Sequence, residues 1–423
     1  MGKYKIFKKK EKEERKEENV IENRKGKKDV FDEKKFKKFI EEERGTGDGL
    51  KKLKLNKPTP SYGGGGGKFI EKLILTLFFT ILTSWLIRWI LILDTNQNIH
   101  PHHPSSCYKP SFNEPLVGMI IVDEIEMILY FTQKGKVYNV EFERKDTINE
   151  LAIDWKNEND ITLNIKSISY YGINFNIFFY LVNEKIDADE IVIFAWDQKY
   201  SRLIFNSRYY IPAIPRISSL SPVAFNRLYL VSPFYYSNNS YLQAAEVVTN
   251  FKYGSIYFYD GKNVNKIVDG LSYPKDITID IKRNRLFVGE IIGRNIKAYH
   301  IKPDFSLEEA SNINTILSSP KKLFIDKKSG DLWSLSYSHL WKKLYNDFFY
   351  NYNNMSIYDG GTKTHRIRFQ DDLMKSWIAT EPFADNGEYF PNANDIILHE
   401  NQLILSSKSN GLLYCPKLNM KII

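Results

Sequence analysis

The residues able to do chemistry are few, and they are spread along the chain. Three of the seven histidines stand together in His100-Pro-His102-His103, a spacing that can hold a transition metal transiently. No Cys or carboxylate nearby completes a coordination shell, so an exposed, proline-broken linker is the expected reading. No Gly-x-Ser-x-Gly nucleophile elbow occurs. Gly67-Lys68 ends a glycine run, but a phosphate-binding loop needs Gly where Tyr62 stands and Ser or Thr where Phe69 stands, which rejects it. Asp123-Glu124 offers adjacent carboxylates for a hard cation or a base. Tyr235, Tyr236, Phe348, Phe349, Tyr350 and Tyr352 are expected to pack strands and loops, with a recognition surface as the alternative. Asn238 and Asn354 each begin an Asn-x-Ser sequon. The two cysteines, Cys107 and Cys415, bracket about three hundred residues, and in an oxidising compartment such a pair can close a ring-shaped fold.

The elements that must position these residues begin after a polar tail. Residues 1–68 hold 22 Lys/Arg against 13 Asp/Glu and account for the whole formal charge of +9, leaving 38 of each sign in the rest. Attraction to a polyanion therefore belongs to the tail, expected to be disordered and cytoplasmic and able to meet anionic lipid, and the folded body is not expected to bind nucleic acid. From Leu73 to Leu93 runs LILTLFFTILTSWLIRWILIL, long enough to cross a bilayer. Its one charge, Arg88, is six residues from Asp94 and can snorkel to the far interface, where Trp85 and Trp89 also suit. The alternative is a buried core helix; a cleaved signal peptide is disfavoured by the length of the preceding tail. An uncleaved anchor over 69–94 with lysines on its N-terminal side predicts a single-pass type II protein, its bulk lumenal or extracellular, in the endoplasmic reticulum or at the cell surface. Residues 95–106 then form a linker.

Between Cys107 and Cys415 short apolar runs alternate with turn residues, an all-β signature. Pro274-Lys-Asp-Ile-Thr-Ile-Asp280 leading to Arg285-Leu-Phe-Val288 recurs as Pro320-Lys-Lys-Leu-Phe-Ile-Asp326 leading to Asp331-Leu-Trp333, at an offset of 46 residues. Asp395-Ile-Ile-Leu398 and Glu190-Ile-Val-Ile-Phe194 open related pieces. Modules of this period predict a six-bladed β-propeller over 107–417, followed by a short tail at 418–423; a β-sandwich pair is the competitor.

Gly254-Ser-Ile-Tyr-Phe-Tyr-Asp260, Ile279-Asp280 through Glu290 to Ile296-Lys-Ala-Tyr299, Asp326-Lys-Lys-Ser-Gly-Asp-Leu-Trp333 and the ending Gly411-Leu-Leu-Tyr-Cys415 resemble the paraoxonase/arylesterase family of six-bladed propellers. The resemblance implies a disulfide between Cys107 and Cys415, an N-terminal anchor, and hydrolysis of esters and lactones with one catalytic and one structural calcium. The family's calcium positions fall on Asp123, Glu124, Ser218, Ser219, Lys275, Lys321 and Lys322, and its proton-shuttle histidines on Tyr171, Glu184 and Tyr337. An ammonium donates hydrogen bonds and accepts none, so three lysines here argue against calcium, and a fixed positive charge pairing with Asp123 and Glu124 is expected in its place.

The expectation is accordingly a non-catalytic, arylesterase-like membrane glycoprotein with no cofactor, an accessory or chaperone for membrane proteins such as an ion channel. In this it is similar to nematode members of the family that assist degenerin-type channels. The alternative is an active calcium-dependent arylesterase or lactonase. A third reading, a divergent hydrolase using Asp123 or Glu124 as base, has no spacing to support it.

Overall fold

Apolar residues crowd both faces of the short strands because nearly every sheet is packed on both sides. The computed structural model describes residues 65–416 except 96–97, 105, 113, 143–146, 157–160, 174–175, 215, 237–238, 315, 317 and 350–359. Asn238, Asn354, Tyr350, Tyr352 and the tail up to residue 64 thus lie outside the described residues.

Six sheets form the propeller. Blade one runs from β1 (Leu116–Val122) through β2 (Met127–Thr132) and β3 (Val137–Glu141) to β4 (Asn149–Glu150). Blade two comprises β6 (Ile165–Ile173), β7 (Asn176–Asn183), β8 (Glu190–Asp197) and β9 (Arg202–Tyr210), with β5 (Ile153–Asp154) added parallel to β9. Blade three holds β10 (Ser219–Ala224) to β13 (Val264–Leu271), blade four β14 (Pro274–Asp280) to β17 (Leu307–Ile313), and blade five β18 (Ser319–Ile325) to β21 (Trp377–Asp385). Blade six has only β22 (Ala393–His399), β23 (Gln402–Ser407) and β24 (Gly411–Cys415). The first strands β1, β6, β10, β14, β18 and β22 each neighbour the next in a closed circle, which excludes the sandwich.

The period of two explains the core. In β1, Ile120 and Val122 face blade two while Met119 and Ile121 face blade six. In β19 (Leu332–Tyr337), Trp333 and Leu335 face blade six and Leu332 faces blade four. Six such interblade layers make the core, with Tyr229, Trp333 and Phe383 fully buried.

The chain before β1 completes the ring. His102 exchanges backbone hydrogen bonds of 2.9 and 2.8 Å with Ala384 on the edge of blade five, and Tyr108 exchanges bonds of 2.8 and 2.9 Å with Tyr414 on the edge of blade six. Between them Cys107 is joined to Cys415. His102, within the segment expected to be a linker, thus meets the edge of blade five, and Tyr108, just beyond that segment, meets the edge of blade six.

Helix α1 (Gly65–Leu93) contains one stretch, Phe69–Leu93, long and apolar enough to cross a membrane. Leu73, Phe78 and Ile87 on it are each more than half exposed, which disfavours a buried core helix. Its last turns, helix α2 (Ser240–Thr249) and helix α3 (Leu340–Phe349) pack at the end of the propeller where the first strands begin, around Trp89, Val247, Ile291, Tyr337 and Leu344.

Candidate functional site: a charged ring in the central channel

Each first strand enters the channel through an irregularity that turns one side chain toward the axis. Register shifts fall between Leu116 and Gly118, Ile165 and Ser167, Pro274 and Asp276, Pro320 and Lys322, and Ala393 and Asp395. In blade three Val231 serves two residues, accepting from the Ser218 N–H and pairing with Ser219. A bulge leaves one residue unpaired and re-aims its neighbour. Six equivalent positions result: Gly118, Ser167, Ser219, Asp276, Lys322 and Asp395.

These six form a circle. The Ser167 hydroxyl donates to Ser219 at 3.2 Å, and the Ser219 hydroxyl donates to Asp276 Oδ1 at 2.6 Å. Lys322 Nζ donates to the same oxygen at 3.2 Å. Asp276 Oδ2 accepts from the Leu323 N–H at 2.8 Å, and Asp395 Oδ2 accepts from the Met119 N–H at 2.7 Å. Each aspartate thus caps a backbone N–H of the next blade that the bulge frees from the ladder. Gly118 closes the circle because a β-carbon there would stand 2.8 Å from Ile168 Cδ1 and 3.2 Å from Asp395 Oδ2.

The ring carries two carboxylates and one ammonium. Burial raises the Asp395 carboxyl to about 6, against the pull of Lys322. For Lys322 burial favours loss of the proton, but Asp276 and Asp395 outweigh it and hold the ammonium above its ordinary range. The 21% of the Lys322 side chain that stays exposed opens onto the channel.

A second tier of bulge residues sits beside the ring. Lys321 Nζ donates to Ala393 O and Asn394 Oδ1, each at 2.7 Å, and to Asn392 Oδ1 at 3.3 Å, and it lies over the Tyr337 ring. Lys166 Nζ meets Glu184 at 2.8 Å and the fully buried Asp189 at 3.3 Å. Lys275 is half-buried, and the Ser218 hydroxyl donates to Val231 O and Pro274 O. Among the expected shuttle positions, Tyr337 and Glu184 thus lie at the ring end of the channel with lysine partners, whereas Tyr171 lies farther along β6 toward the opposite mouth.

Asp123 and Glu124, expected to answer these lysines, do not. They lie in the short 3-10 turn Asp123–Ile125 after β1, five and six positions beyond Gly118. Asp123 pairs there with Lys327 at 3.3 Å, and Lys327 also meets the Tyr170 hydroxyl. Burial pushes the Tyr170 hydroxyl up to about 12, opposed by Lys327. Between ring and turn the channel widens into a cavity of about 660 Å³ with Ile168, Leu220, Ile277 and Ile396 on its wall. The countercharges of Lys322 are Asp276 and Asp395 instead. Both were discernible as the residue before Ile in Pro274-Lys-Asp-Ile and Asn394-Asp-Ile. Gly118, Ser167 and Lys166 left no comparable signal.

A calcium ion needs six to eight converging oxygens. The ring places Lys322 at one of its six positions and Lys321 and Lys275 beside it, and these residues do not fit a hard cation. No group of three or more His, Cys, Asp or Glu is placed to hold a metal among the described residues. The histidine run diverges, with His102 Nε2 against Glu381 O at 2.7 Å and His103 stacked on Tyr389.

The chain is 23% identical over 370 residues to Mechanosensory abnormality protein 6 of Caenorhabditis elegans, covering 82% of this chain and 96% of that protein. Serum paraoxonase/lactonase 3 of Oryctolagus cuniculus is 18% identical over 287 residues, covering 67% and 77%. The arylesterase family model matches residues 127–417, more than half of the sequence, and with its six-bladed propeller the chain belongs to the arylesterase family.

Proposed function

We propose that this arylesterase-family member is non-catalytic and acts as a membrane-tethered accessory or chaperone for other membrane proteins, an ion channel being one candidate client. The observation that carries the reading is Lys322, whose ammonium stands in the channel within 3.2 Å of Asp276. A fixed cation at that position repels a second one and offers no lone pair. The positions expected to hold proton-shuttling histidines carry Tyr171, Glu184 and Tyr337, so no imidazole stands at any of them. The resemblance to a relative named for a mechanosensory abnormality supports an accessory role. Lysines before α1 support a cytoplasmic tail with the propeller lumenal or outside, a topology that agrees with the disulfide and with the sequons at Asn238 and Asn354.

Calcium titration by calorimetry and hydrolysis of phenyl acetate and a lactone, each with and without chelator, test the reading. The expected outcome is no saturable calcium binding and no chelator-sensitive turnover. Micromolar calcium binding accompanied by turnover would establish the calcium-dependent esterase instead. For the accessory role, deleting the protein should lower the surface level of a membrane protein that co-purifies with it.

A further inference from the structure

Where α1 meets the propeller, a second cavity of about 510 Å³ opens between Ser84, Ile87, Arg88 and Leu91 of the helix and the turns at Lys252 and Arg294. Its position along the helix is set by simple geometry. At ~1.5 Å per residue the apolar stretch from Phe69 reaches ~29 Å at Arg88, about the thickness of the hydrocarbon core. Arg88 and the cavity therefore fall at the boundary between acyl chains and headgroups. The propeller is fastened there: Trp89 Nε1 donates to Val248 O at 2.9 Å, and Arg294 pairs with Asp94 at 2.9 Å while donating to Leu91 O at 2.6 Å.

The charges in this cavity are unequal in their commitments. Arg294 is matched by Asp94. Glu290 is turned to the Ser272 N–H at 2.8 Å, and burial raises its carboxyl toward the neutral form. Arg88 and Lys252, both exposed, have no carboxylate at ion-pairing distance among the described residues. An arginine at that level reaches the headgroup layer and favours an anionic partner there. Two cations without an ion-pair partner, Lys252 acting on Glu290 only at longer range, stand beside the exposed apolar side chains of Ile87 and Leu91 and complement one chemistry, an anionic phosphate attached to acyl chains.

We propose that this cavity is a phospholipid site, with Arg88 and Lys252 taking the headgroup phosphate and Ile87 and Leu91 the start of an acyl chain. The lipid would act as a wedge holding the propeller against its own anchor. The proposal rests on α1 crossing the bilayer and is independent of whether the channel ring is catalytic.

The test uses the full chain in dodecyl maltoside, titrated with dihexanoyl-phosphatidylglycerol, dihexanoylglycerol or sodium phosphate, reading the thermal unfolding midpoint. Phosphatidylglycerol should raise the midpoint saturably, and neither control should match it. Arg88→Gln with Lys252→Gln should weaken the apparent affinity by about tenfold, whereas Arg88→Lys should keep most of it. Equal effects of dihexanoylglycerol, or an unchanged affinity in the double variant, would overturn the site. Saturation by sodium phosphate at the same concentrations would assign it to a free anion and overturn the lipid. Should the double variant not fold, Lys252→Gln alone, on an exposed turn, decides between the same outcomes.

Discussion

Lys322 has two carboxylates for partners inside a channel where each of the three would be unstable alone. Removing one member of such a buried set leaves charge without an answer, which costs far more than the set contributes as a whole. Lys322→Met is therefore expected to destabilise the protein by about 3 kcal/mol in urea unfolding at pH 7, and by less at pH 5, where the Asp395 carboxyl holds its proton. Asp395 provides the complementary reading. Its carboxyl ionises at about 6 in the folded protein against an ordinary 3.8, so the folded state holds its proton more tightly. The stabilisation from that proton is complete below pH 4 and is lost as pH rises through 6; the two-unit separation corresponds to about 3 kcal/mol. Asp395→Asn keeps an oxygen for the Met119 N–H and should flatten the dependence of stability on pH between 4 and 7, which chemical denaturation across that range would check.

At the scale of the element, one device is used six times: a bulge at the entrance of each first strand that aims a side chain at the axis. Gly118 is the member with least room, and Gly118→Val should cost about 2 kcal/mol by driving into Ile168 and Asp395, seen as a lower urea midpoint with an unchanged slope. The device was half legible. Blades four, five and six announce it through Pro274-Lys-Asp-Ile, Pro320-Lys-Lys-Leu and Asn394-Asp-Ile, because charged residues before an apolar run stand out. Blades one to three fill the same place with glycine and serine, residues that occur in any turn. The acidic pair Asp123-Glu124 drew attention because its chemistry suits a cation, but a carboxylate pair directly after an apolar strand is also ordinary turn material, and the 3-10 turn claims it. The blade count was legible from periodicity; the edge pairings of His102 and Tyr108 were not, since a single bridging residue has no period.

For the whole molecule, ring closure depends on segments that are far apart in sequence. Cys107 and Cys415 are separated by 308 positions, so their link removes much freedom from the unfolded chain. Replacing both with serine should lower stability by about 2–5 kcal/mol, measured by denaturation of the oxidised wild type against the variant. The same feature has a mechanical consequence. A pull on the propeller away from α1 would first load the contacts of Trp89 and Arg294 at the end of that helix. If these yield, tension runs along the chain to His102, whose backbone bridge to Ala384 and ring contact with Glu381 on blade five can peel, and then arrives at Cys107. There the path continues through a covalent bond into β24 and bypasses the hydrogen-bonded seam between Tyr108 and Tyr414. The connection would lengthen at its α1 end while the circle of blades stays shut, a short extensible leash on a closed head.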